Sequence, residues 1–327
     1  MKRKHKAVAL FSGGLDSILA VKYMQSLGYE VIPVFFDTPF FDSRKTLKYA
    51  EINGINLKII DIATDHLEML KSPRYGYGKH LNPCIDCHGL MFKKAGETLK
   101  IFGADFLISG EVLGQRPMSQ RKNAMNSVSK LSGVKDLIVR PLSQKLLKDT
   151  LPVTLGWVNK NEMLDIQGRS RHRQLELAEK FNVKVFPSAG GGCLLTDNNF
   201  SRRMRDLLEH DFSEKSEISL LKYGRHFRLN KDTKLLVGRT KSDNEGLSEL
   251  AGERIVLKAK NVTGPLGIIS SESDISKETA ELAGAIFLSY CGKAKNTDEV
   301  LFGKNFALEN EMKVTKMKSE QYDCYRI

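Results

Sequence analysis

The sequence predicts an α/β protein with a doubly wound, mostly parallel sheet, followed by a second, smaller α+β domain. The apolar run Ala7–Phe11 leads into a glycine turn, a stretch with helical apolar spacing and a second apolar run, Val31–Phe36. This order of strand, turn, helix and strand is typical of a parallel sheet. Beyond residue 220 the pattern changes to short strands that alternate with helices. The length of 327 residues also favours about two domains.

The remaining elements follow from the same patterns. A helix is predicted after His88, as far as Phe102, because apolar residues from Leu90 onward recur at helical spacing. A polar stretch at 211–222 suggests the boundary between a domain at 1–210 and a domain at 220–327. The further strands predicted are 56–62, 105–110, 137–141, 227–229, 234–237 and 254–257, and the helices of the second domain are 243–251 and 275–289.

The charge of the chain favours a nucleic-acid partner. The formal net charge is +12, and the chain is 41% hydrophobic and 28% charged. Basic residues gain affinity for nucleic acid by releasing counterions from phosphates, although charge alone can also serve solubility. The apolar runs are too short to cross a bilayer, and the basic start lacks the apolar core of a signal peptide. We therefore expect a cytoplasmic protein with no membrane partner.

The glycine turn at Ser12–Ser17 predicts a phosphate site. Glycines let the backbone approach a ligand closely, and the following helix directs its positive end at the turn. Two serine hydroxyls add hydrogen-bond donors. The turn is not a Walker A loop, because it lacks the lysine and the longer spacing of that motif.

The order Ser12-Gly13-Gly14-Leu15-Asp16-Ser17 resembles the PP-loop of the ATP pyrophosphatase superfamily, S-G-G-x-D-S. The resemblance implies a fold like the adenine nucleotide α-hydrolases and an enzyme that cleaves ATP between the α and β phosphates. It implies that Asp16 holds Mg²⁺ near the phosphates, although Asp16 could also only cap the helix. The residues expected to bind ATP are Ser12, Gly13, Gly14, Asp16, Ser17, Asp37 and Gly110.

Three of the five cysteines form a second candidate site. Cys84 and Cys87 are a C-x-x-C pair at the start of a helix, which would lower the pKa of Cys87, and Cys193 follows the glycine-rich run 188–193. Three accessible thiols suit a three-cysteine iron–sulfur cluster with one open iron, or persulfide and disulfide chemistry. Three ordinary buried cysteines are the alternative.

The surroundings of this pair resemble the tRNA thiouridine synthetases, in the segments Asn82–Cys87 and Gly103–Glu111. That family implies adenylation of a uridine carbonyl oxygen, with Asp16 and the three cysteines as catalytic residues. It also implies tRNA and a sulfur donor, either sulfide or a cysteine desulfurase relay, as partners. Cys84 stands where many 2-thiouridylases have Asp, and the three cysteines look more like thiolases that hold a [4Fe-4S] cluster. The pattern therefore favours Cys84, Cys87 and Cys193 as cluster ligands over a persulfide relay.

The C-terminal part resembles the RNA-binding module of NFACT proteins. The shared pattern is H-x-R followed by V-G-R-x-x-x-x-N-E, found here at His226 and at Val237. The resemblance implies RNA contacts, and a solvated basic face is the alternative. Together with a basic segment of the first domain, the expected RNA-binding residues are Arg169, Arg171, Arg173, Arg225, His226, Arg228, Arg239 and Lys241.

Three functions remain open on the sequence alone. The favoured one is ATP-dependent thiolation of a tRNA uridine at its 2- or 4-position. The alternatives are an RNA- or ribosome-binding protein with a degenerate PP-loop, and a PP-loop ligase acting on a small molecule. Neither the 2- or 4-position nor the oligomeric state, a dimer included, follows from the sequence.

Overall fold

A computed structural model describes residues 5–41, 43–188, 192–210 and 215–327. The chain divides into two compact units, Met1–Thr196 and Asp197–Ile327. The helix Asn198–Glu209 therefore groups with the second unit, so the division falls before the polar stretch 211–222. Residues 211–214 of that stretch, and 189–191 of the predicted glycine-rich run, lie outside the described residues.

The first unit contains a five-stranded parallel sheet with helices on both faces. Its strands are β1 (Lys6–Leu10), β2 (Glu30–Asp37), β3 (Lys58–Asp61), β4 (Phe106–Ser109) and β5 (Ile138–Val139). Its helices are α1 (Leu15–Ser26), α2 (Ser43–Ile52), α3 (Ala63–Lys71), α4 (Cys84–Phe102), α5 (Lys122–Ser132), α6 (Leu151–Thr154) and α7 (His172–Lys180). The strand order is β3-β2-β1-β4-β5.

Helices bury both faces of the central strands of this sheet. Successive side chains of a strand point to opposite faces, so they join two different cores. Ala7 and Ala9 of β1 pack into the core that contains Ile18 of α1, whereas Val8 packs into the core that contains Phe92 of α4. The neighbouring strands β2 and β4 pair with β1 on either side. The predicted doubly wound α/β fold is confirmed.

The arrangement brings several chain segments to one edge of the sheet. The carboxyl ends of parallel strands meet at one edge, and helices that return between them begin there. The turn at Ser12 follows β1, Asp37 ends β2, and Gly110 follows β4. Helix α4 begins at the same edge with Cys84.

The second unit is α+β with an antiparallel six-stranded sheet. Its strands are β6 (Arg225–Arg228), β7 (Thr233–Val237), β8 (Ile255–Ala259), β9 (Gly267–Ser271), β10 (Thr297–Lys304) and β11 (Asn310–Thr315), in the order β11-β10-β8-β9-β7-β6. Its helices are α8 (Asn198–Glu209), α9 (Lys215–Leu220), α10 (Lys241–Leu250), α11 (Lys277–Ser289) and α12 (Ser319–Tyr322). The predicted second α+β fold is confirmed, and strands β9 to β11 add to those predicted.

The core of the second unit lies between this sheet and its helices. Phe227, Leu235 and Phe287 are fully buried in one cluster, and Leu236 and Leu247 belong to a cluster of their own. None of the helices in the described parts of the chain is both long enough and apolar enough to span a membrane.

Candidate active site

The turn between β1 and α1 has the conformation that the glycine motif predicts. Gly13 has a φ of +76°, which favours glycine, and a Cβ there would lie 3.1 Å from the side chain of Thr46. The Ser17 hydroxyl donates to the Gly14 carbonyl at 2.8 Å and accepts from the Ser12 amide at 3.3 Å. These bonds fix the turn, while Ser12 stays exposed to a ligand.

Gly110 supports the turn from the neighbouring strand. A Cβ on Gly110 would lie 2.4 Å from the carbonyl oxygen of Asp16 and 2.6 Å from the amide of Ser17. A glycine is needed here because the backbone after β4 runs directly against the first turn of α1. Gly110 therefore contributes to the site by allowing this close approach of the two backbones.

Asp16 lies in a buried polar cluster beside the turn. Its Oδ2 accepts from Gln115 at 2.8 Å, and Gln115 in turn accepts from Gln174 at 3.0 Å. Burial raises the pKa of Asp16, and the hydrogen bond from Gln115 and the charges of Arg171 and Arg116 oppose this rise.

The other oxygen of this carboxylate, Asp16 Oδ1, is buried and has no hydrogen-bond partner among the described residues. The capping role considered for Asp16 is not observed, because no side chain caps α1. A buried carboxylate oxygen beside a phosphate-binding turn fits a ligand for Mg²⁺. Asp37 ends β2 at the same edge and is half-buried, and its carbonyl accepts from the amide of Ile62 at 3.0 Å.

Cys87 is buried in the first turn of α4 against a histidine. His66 Nε2 lies 3.2 Å from Cys87 Sγ, and the His66 ring packs on Phe40 at 5.2 Å between centroids. Burial lowers the pKa of His66 to about 4, so this imidazole is neutral at pH 7. A neutral imidazole can donate to a thiolate or accept from a thiol.

Cys84 is fixed by the turn that precedes the helix. Asn82 is buried. Its side-chain amide donates to Cys84 Sγ at 3.1 Å, and its main-chain carbonyl accepts from the amide of Gly78 at 2.9 Å. Asp86 binds the same loop through the amides of Arg74 and Tyr75, at 2.8 and 3.0 Å. The loop before α4 therefore has a defined shape that holds the C-x-x-C pair.

Cys193 joins the other two thiols at this edge. The amide of Leu194 donates to the carbonyl of Phe40 at 3.3 Å, and Phe40 is the residue that packs on His66. Cys193 and Cys84 both lie close enough to Cys87 for their charges to act on it. The structure thus brings together the three cysteines that the sequence singled out.

The expected lowering of the Cys87 pKa is wrong. Burial raises this pKa well above its usual value, and the nearby Cys193, Cys84 and Asp86 raise it further. Burial also raises the pKa of Cys193, to about 11. The position of Cys87 at a helix start is outweighed because its sulfur is removed from water.

Within the described ranges, no three His, Cys, Asp or Glu residues are grouped closely enough to hold a single metal ion. The donor set itself is nevertheless suited to iron and sulfur, since three thiols stand near one another without a disulfide. Cys84, Cys87 and Cys193 would be the ligands of a cluster, which could present sulfur at its open iron.

A buried ion pair borders the nucleotide turn and the helix with the cysteines. Glu111 follows Gly110 and accepts from Arg140 Nε at 2.8 Å and lies 3.1 Å from His88 Nδ1. Burial alone would raise the pKa of Glu111, but Arg140 and His88 outweigh it and hold the pKa at about 2. This carboxylate is therefore ionised at all physiological pH values and orients His88, the residue next to Cys87.

The basic residues of the first unit lie in two settings. Arg169 and Arg173 are exposed, and Arg173 pairs with Asp165 at 2.6 Å. Arg171 is half-buried, lies 5.9 Å over the ring of Phe186 and acts on the carboxylate of Asp16. Arg171 therefore faces the nucleotide turn, whereas the other two arginines are available at the surface.

The arginines of the second unit are largely engaged within it. Arg228 donates twice to Asp206, at 2.6 and 3.1 Å, and Arg225 lies 4.6 Å over the ring of Tyr290. Arg239 pairs with Asp243 at 3.1 Å but is 42% exposed, so its guanidinium can still reach a ligand. Lys241 is 91% exposed.

His226 does not lie at the surface, so the expected RNA contact is corrected. Its side chain is buried, its Nε2 lies 2.8 Å from the Tyr223 carbonyl, and burial lowers its pKa well below the usual value. A neutral, buried imidazole in a strand holds the local backbone. It cannot reach an RNA at the surface while the fold is intact.

Sequence reasoning missed residues that complete the site through long-range contacts. They are Thr46, His66, Gln115 and Gln174, together with the ion pair of Glu111 and Arg140. The sequence had suggested Arg140 as a phosphate contact, whereas its side chain is buried against Glu111. Glu111 was part of the segment that resembles thiouridine synthetases, and only its ion pair was unforeseen. The others belong to no short motif, because their partners lie 21 to 99 residues away.

Family models match both parts of the chain. Residues 3–145 match the model described as thiamine biosynthesis protein (ThiI), and residues 224–326 match the NFACT protein RNA binding domain. The predicted resemblance is therefore confirmed. The first unit is similar to the ThiI proteins, and the second is similar to an RNA-binding module.

Curated relatives point to tRNA thiolation in particular. The chain is 35% identical over 147 residues to a probable tRNA sulfurtransferase of Thermococcus kodakarensis, covering 42% of this chain and 36% of the relative. It is 27% identical over 183 residues to a tRNA-specific 2-thiouridylase MnmA of Karelsulcia muelleri, covering 52% of this chain and 47% of the relative. The chain thus spans about a third to a half of the length of these relatives.

Among solved structures, a 4-thiouridine synthetase in complex with RNA and ATP is 19% identical, covers 55% of this chain and 52% of that chain, and has a TM-score of 0.34. We draw nothing about function from so slight a likeness. The matched families and curated relatives, by contrast, name sulfur transfer to tRNA and RNA binding.

Proposed function

We propose that this protein is an ATP-dependent tRNA sulfurtransferase that makes a thiouridine. The observation that supports this most is the convergence of two sites at one edge of the parallel sheet. The glycine turn with Asp16 and the three cysteines with His66 all lie at the carboxyl ends of β1, β2 and β4. A phosphate site beside nucleophilic sulfur suits activation of an oxygen followed by its replacement with sulfur.

In the first step, the turn at Ser12–Ser17 binds ATP through its backbone N–H groups and the start of α1. Asp16 Oδ1, buried and without a partner in the described structure, would hold Mg²⁺, whose charge withdraws electrons from the phosphates. Arg171 would neutralise phosphate charge beside it. The uracil oxygen then attacks the α-phosphate, and pyrophosphate leaves.

In the second step, sulfur at the cysteine site attacks the activated carbon. A carbon–sulfur bond forms, the carbon–oxygen bond breaks, and AMP leaves with the former uracil oxygen. Cys84, Cys87 and Cys193 would be the ligands of a [4Fe-4S] cluster that supplies sulfide. In the alternative route, one of these cysteines would carry the sulfur as a persulfide, and a second cysteine would break the S–S bond and form a disulfide with the first. The number of thiols favours the cluster, because three neighbouring cysteines outside any disulfide match a cluster that has one iron without a cysteine ligand.

Exposed cations of each unit would bind the tRNA. Arg169 and Arg173 lie at the surface of the first unit, and Arg239 and Lys241 at that of the second. Extrusion of the target uridine is required, since its carbonyl carbon is not accessible within a base stack.

The decisive experiment is anaerobic incubation of the protein with unmodified tRNA, Mg-ATP and sulfide, followed by mass spectrometry of the nucleosides. A thiouridine is expected, and its isomer will identify the 2- or 4-position. Pyrophosphate release that does not depend on tRNA, without thiouridine, would instead favour a small-molecule ligase. Neither pyrophosphate nor thiouridine would favour an RNA-binding protein with a degenerate loop.

A second measurement separates the two ways of holding sulfur. Anaerobically purified protein should contain about four irons and absorb visible light, and the Cys84→Ser variant should lose both. If iron is absent while thiolation proceeds with a desulfurase and cysteine, a persulfide relay operates. The Cys324→Ser variant is the control, because Cys324 is exposed in the second unit and outside this site.

A further inference from the structure

The second unit contains a cavity whose lining includes Lys258 and Phe306, which were not among the predicted RNA-binding residues. The cavity has a volume of about 430 Å³ and lies between α10, the end of β8, the loop 262–266 and the turn between β10 and β11. Its size falls in the range of small-molecule sites. The charged residues that line it are Lys241, Glu245 and Lys258.

An aromatic ring is held over this cavity by a tight turn. The amide of Ala307 donates to the carbonyl of Lys304 at 2.8 Å, and the two central residues Asn305 and Phe306 have φ values of +52° and +59°. Positive φ at both positions is typical of a type I′ turn, where glycine is favoured and a bulky residue is rare. Phe306 therefore occupies its place at a conformational cost.

This cost is not offset by burial in either hydrophobic cluster described for the second unit. The Phe306 side chain is 37% exposed and belongs to none of the buried clusters of the second unit. A glycine would form the same turn without strain. Strained residues that contribute little to folding occur mostly at binding sites, where the strain fixes a side chain for a ligand.

The cation beside the ring completes the site. Lys258 Nζ lies 5.3 Å from the centroid of the Phe306 ring. Lys241 of α10 also lines the cavity, where its Nζ lies 3.8 Å from Oε1 of Glu245. A flat ring next to ammonium groups suits a ligand that has a flat base and a phosphate. The hydroxyls of Ser248 and Thr263 lie on the wall, where they can contact the edge of a base.

We propose that this cavity binds one unpaired nucleotide of an RNA strand. The base stacks on Phe306, and Lys258 with Lys241 contacts the adjoining phosphate. The inference rests on the proposed RNA-binding role of the second unit and adds to it the form of RNA recognised, which is single-stranded. Inside double-stranded RNA, each base is stacked between its neighbours and has no free face for the ring.

The test uses the whole chain and a short fluorescein-labelled oligoribonucleotide, either single-stranded or annealed into a blunt duplex. Fluorescence anisotropy gives Kd, and a 5-iodouridine in the strand gives a photo-crosslink mapped by mass spectrometry. We expect Phe306→Gly to weaken single-strand binding about tenfold, since one base stack is lost, and to remove a crosslink at Phe306. Duplex affinity should stay unchanged, and the Tm should stay level or rise.

Further variants identify what the ring contributes. Phe306→Leu keeps the strain and an apolar side chain but has no aromatic face, so it should bind as weakly as Phe306→Gly. Lys258→Met should reduce the dependence of log Kd on log salt by about one phosphate contact. Lys277→Met, an exposed lysine that does not line the cavity, is the matched control and should have a smaller effect.

The inference is overturned if Phe306→Gly binds single strands normally, or if its Tm falls, because the ring would then serve folding. It is also overturned if Phe306→Leu retains full affinity. The same holds if a free mononucleotide displaces the strand completely at a concentration as low as that of the strand, because the cavity would then be a site for free nucleotides. Since no readout involves thiouridine, failure of the thiolation proposal would leave these results intact, and the reverse also holds.

Discussion

The two units place their predicted functional residues in different structural settings. In the first unit these residues follow parallel strands, as Ser12 follows β1 and Gly110 follows β4. In the second unit three of them lie inside one antiparallel strand, where His226 is buried next to Phe227, and Arg225 and Arg228 are partly exposed at the two ends. A motif at the end of a parallel strand is directed to a shared edge, whereas a motif within a packed strand is divided between core and surface.

Buried charges also serve the two units differently. In the first, Glu111 and Arg140 lie at the edge of the sheet and orient His88 beside the cysteine pair. In the second, Glu217 of α9 pairs with Arg254 at 2.7 Å and accepts from Ser270 of β9 at 2.5 Å, and none of these residues lines the cavity at Phe306. The same chemistry thus positions a site in one unit and joins elements of the fold in the other.

The largest expected effect separates the cysteines of the two units. Cys87→Ala should abolish thiouridine formation, because Cys87 lies between Cys84, Cys193 and His66. Its affinity for tRNA, measured by filter binding, should remain within about twofold of the parent. Cys324→Ala in the second unit should turn over normally. Normal turnover by the Cys87 variant would remove this thiol from the reaction.

The next effect concerns the contact between β4 and the glycine turn. Gly110→Ala should reduce tRNA-dependent pyrophosphate release by about a hundredfold, because its Cβ would displace the backbone of Asp16 and Ser17. Gly292→Ala, whose Cβ would have no heavy atom within 4 Å, should be silent. Pyrophosphate release and Tm are measured on both variants. An active Gly110→Ala protein would show that the turn tolerates movement.

Glu111→Gln should lower the free energy of unfolding by about 3–5 kcal/mol, because it leaves the charge of Arg140 buried without its partner. Denaturant titration measures this loss. Glu30→Gln is the control: Glu30 pairs with Lys6 at the surface, and its loss should cost about 0–1 kcal/mol. Equal losses in the two variants would contradict the buried ion pair.

The same carboxylate predicts a dependence of stability on pH. Its pKa is about 2 in the folded protein against an ordinary 4.5, so its contribution is complete above pH 4.5 and is lost as the pH falls towards 2. The difference corresponds to about 3 kcal/mol for this one group. The free energies of unfolding of the parent and of Glu111→Gln, measured between pH 6 and pH 3, isolate the contribution of this carboxylate. The difference between the two proteins should become smaller as the pH falls.

The smallest effects test the arginines. Arg173→Gln in the first unit should weaken tRNA binding a few-fold, reduce the salt dependence by about one contact and leave the free energy of unfolding within about 0.5 kcal/mol. Arg228→Gln in the second unit should instead lower stability by about 1–3 kcal/mol, because it breaks two bonds to Asp206, with little change in tRNA affinity. If Arg173→Gln lowered stability and Arg228→Gln weakened tRNA binding instead, Arg228 would be the RNA contact and Arg173 the structural residue.

The sequence by itself determined the doubly wound sheet, the glycine turn and the identity of the three cysteines. Each depends on local order: strand and helix periods within short windows, a positive φ at Gly13, and an Asn-Pro turn before Cys84. The convergence of these segments followed as well, since parallel strands bring their carboxyl ends to one edge. The resemblance to thiouridine synthetases and the NFACT module rested on the same short motifs.

Only the tertiary structure decided the environment of those residues. The partners of Cys87 and Asp16 come from distant segments, His66 from α3 and Gln115 from the loop after β4, and no short window contains such pairs. Burial raises the pKa of Cys87, whereas the sequence predicted a lowered one. His226 is buried, whereas the sequence predicted a surface residue. Desolvation depends on what packs around a group from the whole chain, so residue order alone cannot supply it.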